Sequence, residues 1–395
     1  MEYKFSKGIM QIKKSAADLM LAQMNSPDLI SLAGGNPSAD LFLIDEIKKY
    51  SNELLEQDPV GTLQYSVTEG YEPLRNQVRR LFYDKPEYLF DMDDEVIITS
   101  GSQQVPDLVA KCFCDFGDVI LVEEPSYYLT LDTFRSNGAK LVGVKLLEDG
   151  IDISDLEEKI KKYNPKLFYI IPNFNNPTGI TTCKEKRKKI YEICKTYKVL
   201  ILEDNPYGKI RFTDDEIPTI KSLDDSGIVI LAESLSKIIS PGMRVSACMA
   251  NKNIIAKLIL AKRSSDVHTA IWGQRICERI LANIDMKNHI KRISDHYKEK
   301  CDFMIEEIHK NLSKDVSYIK PQGGMFLWLT LPKRYSMNYI VGKLLEKKVA
   351  VVPGNIFYVD QDAECNSIRL NFSTPTFKDI KDGIEVFGKI FKEID

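Results

Sequence analysis

The sequence predicts an α/β protein with a large domain, built on a mostly parallel seven-stranded sheet flanked by helices, and a smaller α+β domain after it. Three observations lead there. From Glu95 onward, apolar runs of strand length alternate with amphipathic stretches of helix length, the pattern of a parallel sheet covered on both faces. After Ala250 the alternation gives way to two long helical stretches, then to short strands mixed with helices. The chain has 395 residues, more than one hydrophobic core serves, so two lobes are expected. The expected division is an N-terminal segment (1–45) packing with the small domain, a large domain (46–285) and a small C-terminal domain (286–395).

Taken in order, the amino terminus MEYKFSKGIMQIKKSAADLM has no apolar segment of signal-peptide length, and no run approaches a membrane span, so a cytoplasmic protein is expected. SLAGGNP, from Ser31 to Pro37, is a glycine-rich turn before a helix over 44–55, and QYSVTEG leads into a second helix over 72–82. Strands are expected at 96–99, 119–123, 141–146, 167–171, 199–202, 228–231 and 245–250, with helices over 103–114, 155–163 and 184–197 between them. The pairs Ser154 with Glu157 and Thr182 with Glu185 have the spacing of capping boxes. Long helices follow over 254–280 and 286–311, then strands at 316–319, 325–331, 349–352 and 367–372 and helices over 339–347 and 377–394.

Charge and composition exclude several functions. Fifty-four Lys and Arg against 57 Asp and Glu are interspersed, which leaves no basic footprint for nucleic acid. Eight cysteines include no C-x-x-C pair, and the four histidines have no ligand spacing with them, so reduced thiols and no metal are expected.

The chemistry concentrates at strand ends, where ligands of parallel sheets bind. After the apolar run 228–231 comes AESLSKIISPGMR, holding Ser234, Ser236, Lys237 and Arg244. A lysine beside apolar residues tends to shed its proton and become a nucleophilic amine, although a solvated loop lysine reads the same way in isolation. Ser100-Gly101-Ser102-Gln103 links a strand to a helix, which suits a phosphate as well as an ordinary N-cap. PNFNNPTG places Asn176 before a proline, so its amide points away from the sheet edge or simply forms a turn. ILEDNPY sets two acidic residues, Glu203 and Asp204, directly after the four apolar residues 199–202, and a buried carboxylate at Asp204 needs a cation unless it caps a helix. In SIRLNF, Arg369 interrupts an apolar strand and suits either bidentate carboxylate recognition or an internal ion pair. A phosphate cradle, a carboxylate in need of a cation, an amine nucleophile and a carboxylate-binding arginine together describe a site for pyridoxal 5'-phosphate (PLP) and an amino acid.

The motifs SLAGGNP, LQYSVTEG, ITSGSQQ, EEPSYY, PNFNNPTG, ILEDNPY, SLSKIISPGMR, PQGGMFLW, VVPGNIFY and IRLNFS, in this order, resemble those of PLP-dependent class I/II aminotransferases of fold type I. The nearest flavour is the subgroup of aminoadipate and kynurenine aminotransferases and MocR-type effector domains. The resemblance implies that Lys237 forms a Schiff base with PLP, that Asp204 keeps the pyridine nitrogen protonated, that Asn176 and Tyr207 contact the phenolic oxygen, and that Tyr127 stacks on the ring. It implies a phosphate held by Gly101, Ser102, Gln103, Ser234, Ser236 and Arg244, with Tyr65 reaching in from the partner subunit of a homodimer. Arg369 and Asn176 then grip the substrate carboxylate, and Gly35 lines the substrate pocket.

The implied reaction is a ping-pong transfer of an amino group from an amino acid to a 2-oxo acid, commonly 2-oxoglutarate. Lys237, Asp204 and Tyr207 are its catalytic residues. A lyase or decarboxylase on the same scaffold is the alternative, and a regulator's sensing domain a more distant one, since only thirty residues precede Ser31. Ser15-Ala16-Ala17-Asp18 lacks the arginine that meets a dicarboxylic side chain in the subgroup, which weighs against an aminoadipate preference. The chain also departs from the family pattern at Asn205 and Pro106.

Overall fold

The structure is a computed structural model and describes residues 3–12, 28–83, 93–215 and 217–394. Residues 15–18, where the subgroup's arginine is missing, lie outside the described residues. After β1 (Ile30–Ser31), the strands of the large sheet are β2 (Asp94–Thr99), β3 (Val119–Glu124), β4 (Lys140–Leu147), β5 (Gly150–Ile151), β6 (Leu167–Ile170), β7 (Leu200–Asp204), β8 (Val229–Ser234) and β9 (Ser246–Asn251). Their spatial order is β2-β9-β8-β7-β6-β3-β4-β5. All seven expected strands are present. The eighth, β5, pairs antiparallel with β4 around a two-residue turn. It is too short to register in a pattern of apolar runs.

The pairs β4 with β3, β3 with β6, β6 with β7 and β7 with β8 are parallel, while β9 runs antiparallel to both β2 and β8. Every residue of β6 and β8 is buried, which is why both read as continuous apolar segments. Parallel strands bring their carboxyl ends to one edge. That edge carries the turns after β2, β6, β7 and β8.

Helices Glu72–Phe82, Lys184–Tyr197, Met286–Asn311 and Phe377–Ile394 have the expected bounds. The expected helix over 254–280 is instead two, Lys252–Ser265 and Ile271–Asn283. Residues 266–270 break it because Asp266 turns its carboxylate to Lys262, Ser100 and Gln104, and Val267 adopts a left-handed φ of 64°. Neither capping box forms. Asp152 is the cap of Ile153–Tyr163, accepting from the Ser154 and Asp155 amides at 3.0 and 3.3 Å. Cys183 precedes Lys184–Tyr197 without a side-chain cap.

Helices Pro59–Leu63 and Tyr128–Ser136 were not expected. The second, YLTLDTFRS, is rich in aromatic and β-branched residues with weak helix preference. It is helical because Tyr128, Leu131 and Phe134 fall on one buried face.

Beyond β9 a second sheet holds β10 (Ser317–Tyr318), β11 (Phe326–Thr330), β13 (Val352–Pro353) and β14 (Ser367–Asn371), all antiparallel, in the order β10-β11-β14-β13. The expected strand over 349–352 splits between this sheet and β12 (Val349–Ala350), which pairs parallel with β1. The segment after β1 is thereby fixed to the C-terminal part of the chain. The largest apolar cluster is shared along the chain, running from Leu32 through Leu231 and Ile238 to Phe391.

Candidate active site

A cavity of about 400 Å³ opens at the carboxyl edge of the large sheet, between that edge, the 33–37 segment and β14. The turn after β8 supplies Lys237 to its wall. The Lys237 Nζ donates to the Gly35 carbonyl at 2.7 Å and lies 5.9 Å from the centre of the Tyr207 ring. Burial, reinforced by the charges of Arg369 and Arg244, pulls its pKa down from 10.5 to about 8. A lysine in this state is far more often a free amine at neutral pH than one in water.

Asp204 closes β7 and is buried, facing the cavity. The cation expected beside it is not what the structure provides. Oδ2 accepts a 2.8 Å hydrogen bond from the Tyr169 phenol, and Oδ1 has no partner among the described residues. Burial raises the carboxyl to about pH 7, opposed by the Tyr169 hydrogen bond. An unsatisfied buried carboxylate oxygen is costly. A cationic N–H of a bound ligand would satisfy it.

One end of the cavity is made of anion donors. Ser102, Ser234, Ser236 and Arg244 line it. Gly101 has a left-handed φ of 85°, and a Cβ there would lie 1.9 Å from the Arg244 guanidinium, so only glycine lets the two approach. The Arg244 Nη2 donates to the Ser100 carbonyl at 3.2 Å and Nη1 to the Pro241 carbonyl at 3.4 Å. Ser234 Oγ accepts from the Ser236 amide at 3.2 Å. Gln103 also lines the cavity, but its amide is turned to the Leu129 carbonyl and Thr133 Oγ1 at 3.1 and 2.7 Å.

Behind this loop lies a brace that sequence reasoning missed. Lys262 Nζ, itself buried, binds Asp266 Oδ1 at 2.8 Å and Gln104 Oε1 at 3.1 Å, and Asp266 Oδ2 accepts from Ser100 Oγ at 2.6 Å. In the sequence Lys262 and Asp266 have the spacing of an ordinary surface pair, four apart on a helix.

The other end holds Arg369. Its Nη1 donates to Asn176 Oδ1 at 2.9 Å and its Nη2 to the Ala33 carbonyl at 2.6 Å, while Nε is unpartnered. Among the described residues none of its partners is a carboxylate, so the internal ion pair is not made there. The guanidinium sits 4.4 Å from the Phe326 ring centre and 5.1 Å from that of Phe357, and burial draws its pKa down to about 10. Asn176 Nδ2 donates to the Tyr207 hydroxyl at 3.4 Å. Tyr127 presents its ring to the cavity beside Tyr128, with centres 5.6 Å apart, and burial pushes its phenol upward. Gly35 lines the cavity through the segment whose carbonyl holds Lys237.

Twelve of the fourteen sequence-predicted site residues thus line one cavity, Gly101 adjoins it through Arg244, and Tyr65 is the exception. Tyr65 is 83% exposed, with its ring edge-on to His268 at 5.8 Å. The residues present suit a phosphorylated aromatic heterocycle: donors for a phosphate, a lone carboxylate oxygen for a protonated ring nitrogen, an amine for an aldehyde and an aromatic face for stacking.

Comparison with known proteins agrees with this geometry. Residues 27–387 match the family model described as aminotransferase class I and II. The chain is 34% identical to aromatic-amino-acid aminotransferase 1 of Thermococcus litoralis, across 99% of this chain and 95% of the relative. It superposes with a TM-score of 0.93 on Pyrococcus horikoshii kynurenine aminotransferase, solved with PMP, at 34% identity over 98% of this chain and 97% of that one. The α-aminoadipate aminotransferase LysN of Thermus thermophilus, solved with N-(5'-phosphopyridoxyl)-L-leucine, gives 0.90 at 34% identity over 99% and 97%. With the match spanning nearly the whole chain, this protein belongs to the aminotransferase class I and II family.

Proposed function

We propose that this aminotransferase carries pyridoxal 5'-phosphate covalently on Lys237 and passes an amino group from an amino acid to a 2-oxo acid, commonly 2-oxoglutarate, by a ping-pong cycle. The observation that carries the reading is a pair: an unpartnered carboxylate oxygen on Asp204 and an amine of lowered basicity on Lys237, in the walls of one cavity. When bound, the cofactor accepts the electron pair left as a substrate Cα–H bond breaks, more readily with its ring nitrogen protonated.

The chain's own residues do the rest. Asp204 Oδ1 holds the ring nitrogen. Ser102, Ser234, Ser236 and Arg244 bind the phosphate, with the tight turn at Gly101 letting the guanidinium in and Gln103 fixing the loop. Tyr127 stacks on the ring. Asn176 and Tyr207 hold the phenolic oxygen, while Arg369 and Asn176 orient the substrate carboxylate beside Gly35. The incoming amino group would take the place of Lys237 on the cofactor, and the amine so released would move the proton from the substrate Cα to C4′, a task suited to a base near neutrality.

The exposed apolar residues Val60, Leu63, Tyr65 and Val67 support a homodimer in which this loop enters the partner's site. Eight free cysteines support a cytoplasmic location. The helix starting at Met286 supports a division into segments 1–45, 46–285 and 286–395. The lyase, decarboxylase and regulator readings gain no support from relatives at 34% identity that are named as aminotransferases.

The test is Lys237→Ala. We expect a folded protein whose mass does not rise after borohydride treatment with PLP and which makes no glutamate from 2-oxoglutarate and any amino acid. Turnover in that variant would remove Lys237 from the mechanism. A panel of half-reactions, each read as loss of the cofactor's absorbance band, then identifies the donor.

A further inference from the structure

Nothing in that reading uses Tyr169, although it is the side chain that touches Asp204 most closely. It lies in the middle of β6, with no exposed surface, its ring edge-on to Phe134 with centres 5.6 Å apart. Phenylalanine would fill the same space without burying a hydroxyl, which is costly unless hydrogen-bonded. The hydroxyl has two partners, Asp204 Oδ2 at 2.8 Å and Thr130 Oγ1 at 3.3 Å. A phenol has one proton to give. The shorter bond, to a carboxylate, takes it. Thr130 Oγ1, which also lies 3.5 Å from Gln103 Oε1, then gives its own proton to the nearer phenolic oxygen.

We propose that Tyr169, steadied by Thr130, is a positioning residue for the cofactor ring: it occupies Oδ2 so that Oδ1 alone meets the ring nitrogen, and its donated hydrogen bond keeps Asp204 ionised while that nitrogen is protonated. The inference rests on the assignment of Asp204 to the ring nitrogen. Among the described residues Asp204 acts electrostatically on Tyr127, Tyr207 and Glu233 and shares its cavity with Lys237 and Arg369, and the hydrogen bond from Tyr169 is what opposes the effect of burial on it. Without that bond the carboxylate becomes more basic. The proton shared with the ring nitrogen then moves toward Asp204.

The test uses the holoprotein carrying PLP labelled with 15N in the ring, as wild type, Tyr169→Phe, Thr130→Val and Asp204→Asn. We expect a protonated-nitrogen resonance in the wild type and an unprotonated one in Asp204→Asn. Tyr169→Phe should move the resonance toward the unprotonated position, and Thr130→Val should move it the same way by less. In the apoproteins, the infrared band of the protonated Asp204 carboxyl should titrate about one pH unit higher in Tyr169→Phe, as for a lost hydrogen bond to a charged group.

A phenol that only packs would alter the melting temperature and move neither signal. A wild-type resonance and titration in Tyr169→Phe overturns the proposal while leaving the cofactor reading intact; should that variant not fold, an unmoved resonance in Thr130→Val overturns it equally. A wild-type resonance in Asp204→Asn overturns both.

Discussion

Lys237 and Arg369 are cations set into one cavity with neutral hydrogen-bond partners, a carbonyl for the first and an amide and a carbonyl for the second. Each is poised for a ligand because no acidic side chain among the described residues pairs with it. For Lys237, whose pKa lies near 8, the neutral amine grows with pH below that value and saturates above it. Covalent loading of the apoprotein with PLP should therefore quicken about tenfold per pH unit below pH 8 and level off above it, a profile stopped-flow absorbance would measure. Gly101→Ala combines a left-handed backbone with a collision at Arg244, and should weaken PLP retention about tenfold or more with the fold intact, as read by cofactor dissociation.

Lys237, Asp204 and Arg369 were legible in the sequence because each is a charge at or inside an apolar run. Tyr169 was not, since an aromatic within such a run looks like core. The Asp204 partner was misjudged for a related reason: desolvation says a buried carboxylate needs company, but not whether the protein or a ligand supplies it.

At the scale of elements, the large-sheet strands were readable because burial on both faces makes them continuously apolar. Helix starts were less so. The capping-box spacing at Ser154 was outcompeted by Asp152, whose carboxylate reaches two amides of the first turn. Asp152→Ala should cost about 1 kcal/mol and Ser154→Ala close to nothing, by chemical denaturation. Had the capping box formed, the order would be reversed. The break at 266–270 escaped notice because it is set by contacts with Ser100 and Gln104, more than 160 positions away.

For the molecule as a whole, the large sheet encloses carboxyls that burial makes weak acids: Asp204 near 7, Glu123 and Glu233 near 8. Their folded pKa values stand above the unfolded ones near 4. The native state therefore binds more protons between pH 4 and 8, and the stability they contribute is lost as pH rises through that window. The apoprotein should melt at a lower temperature at pH 8 than at pH 5.5, and Glu233→Gln should shrink that difference; calorimetry that finds a flat profile would contradict it. The two-lobed fold class was visible from the change of pattern after Ala250. The bridge between the chain's beginning and its end was not, because two-residue strands leave no periodicity.

That bridge has a consequence for how the enzyme is made. Arg369 is held by the carbonyl of Ala33, and the Asn371 amide bonds the carbonyl of Leu32, more than 330 positions away along the chain. A ribosome has to release nearly all of the polypeptide before this guanidinium can take up its post. On the role proposed for Arg369, a nascent chain that already displays Lys237 still lacks its grip on a substrate carboxylate, which places amino-acid recognition among the last properties that synthesis confers.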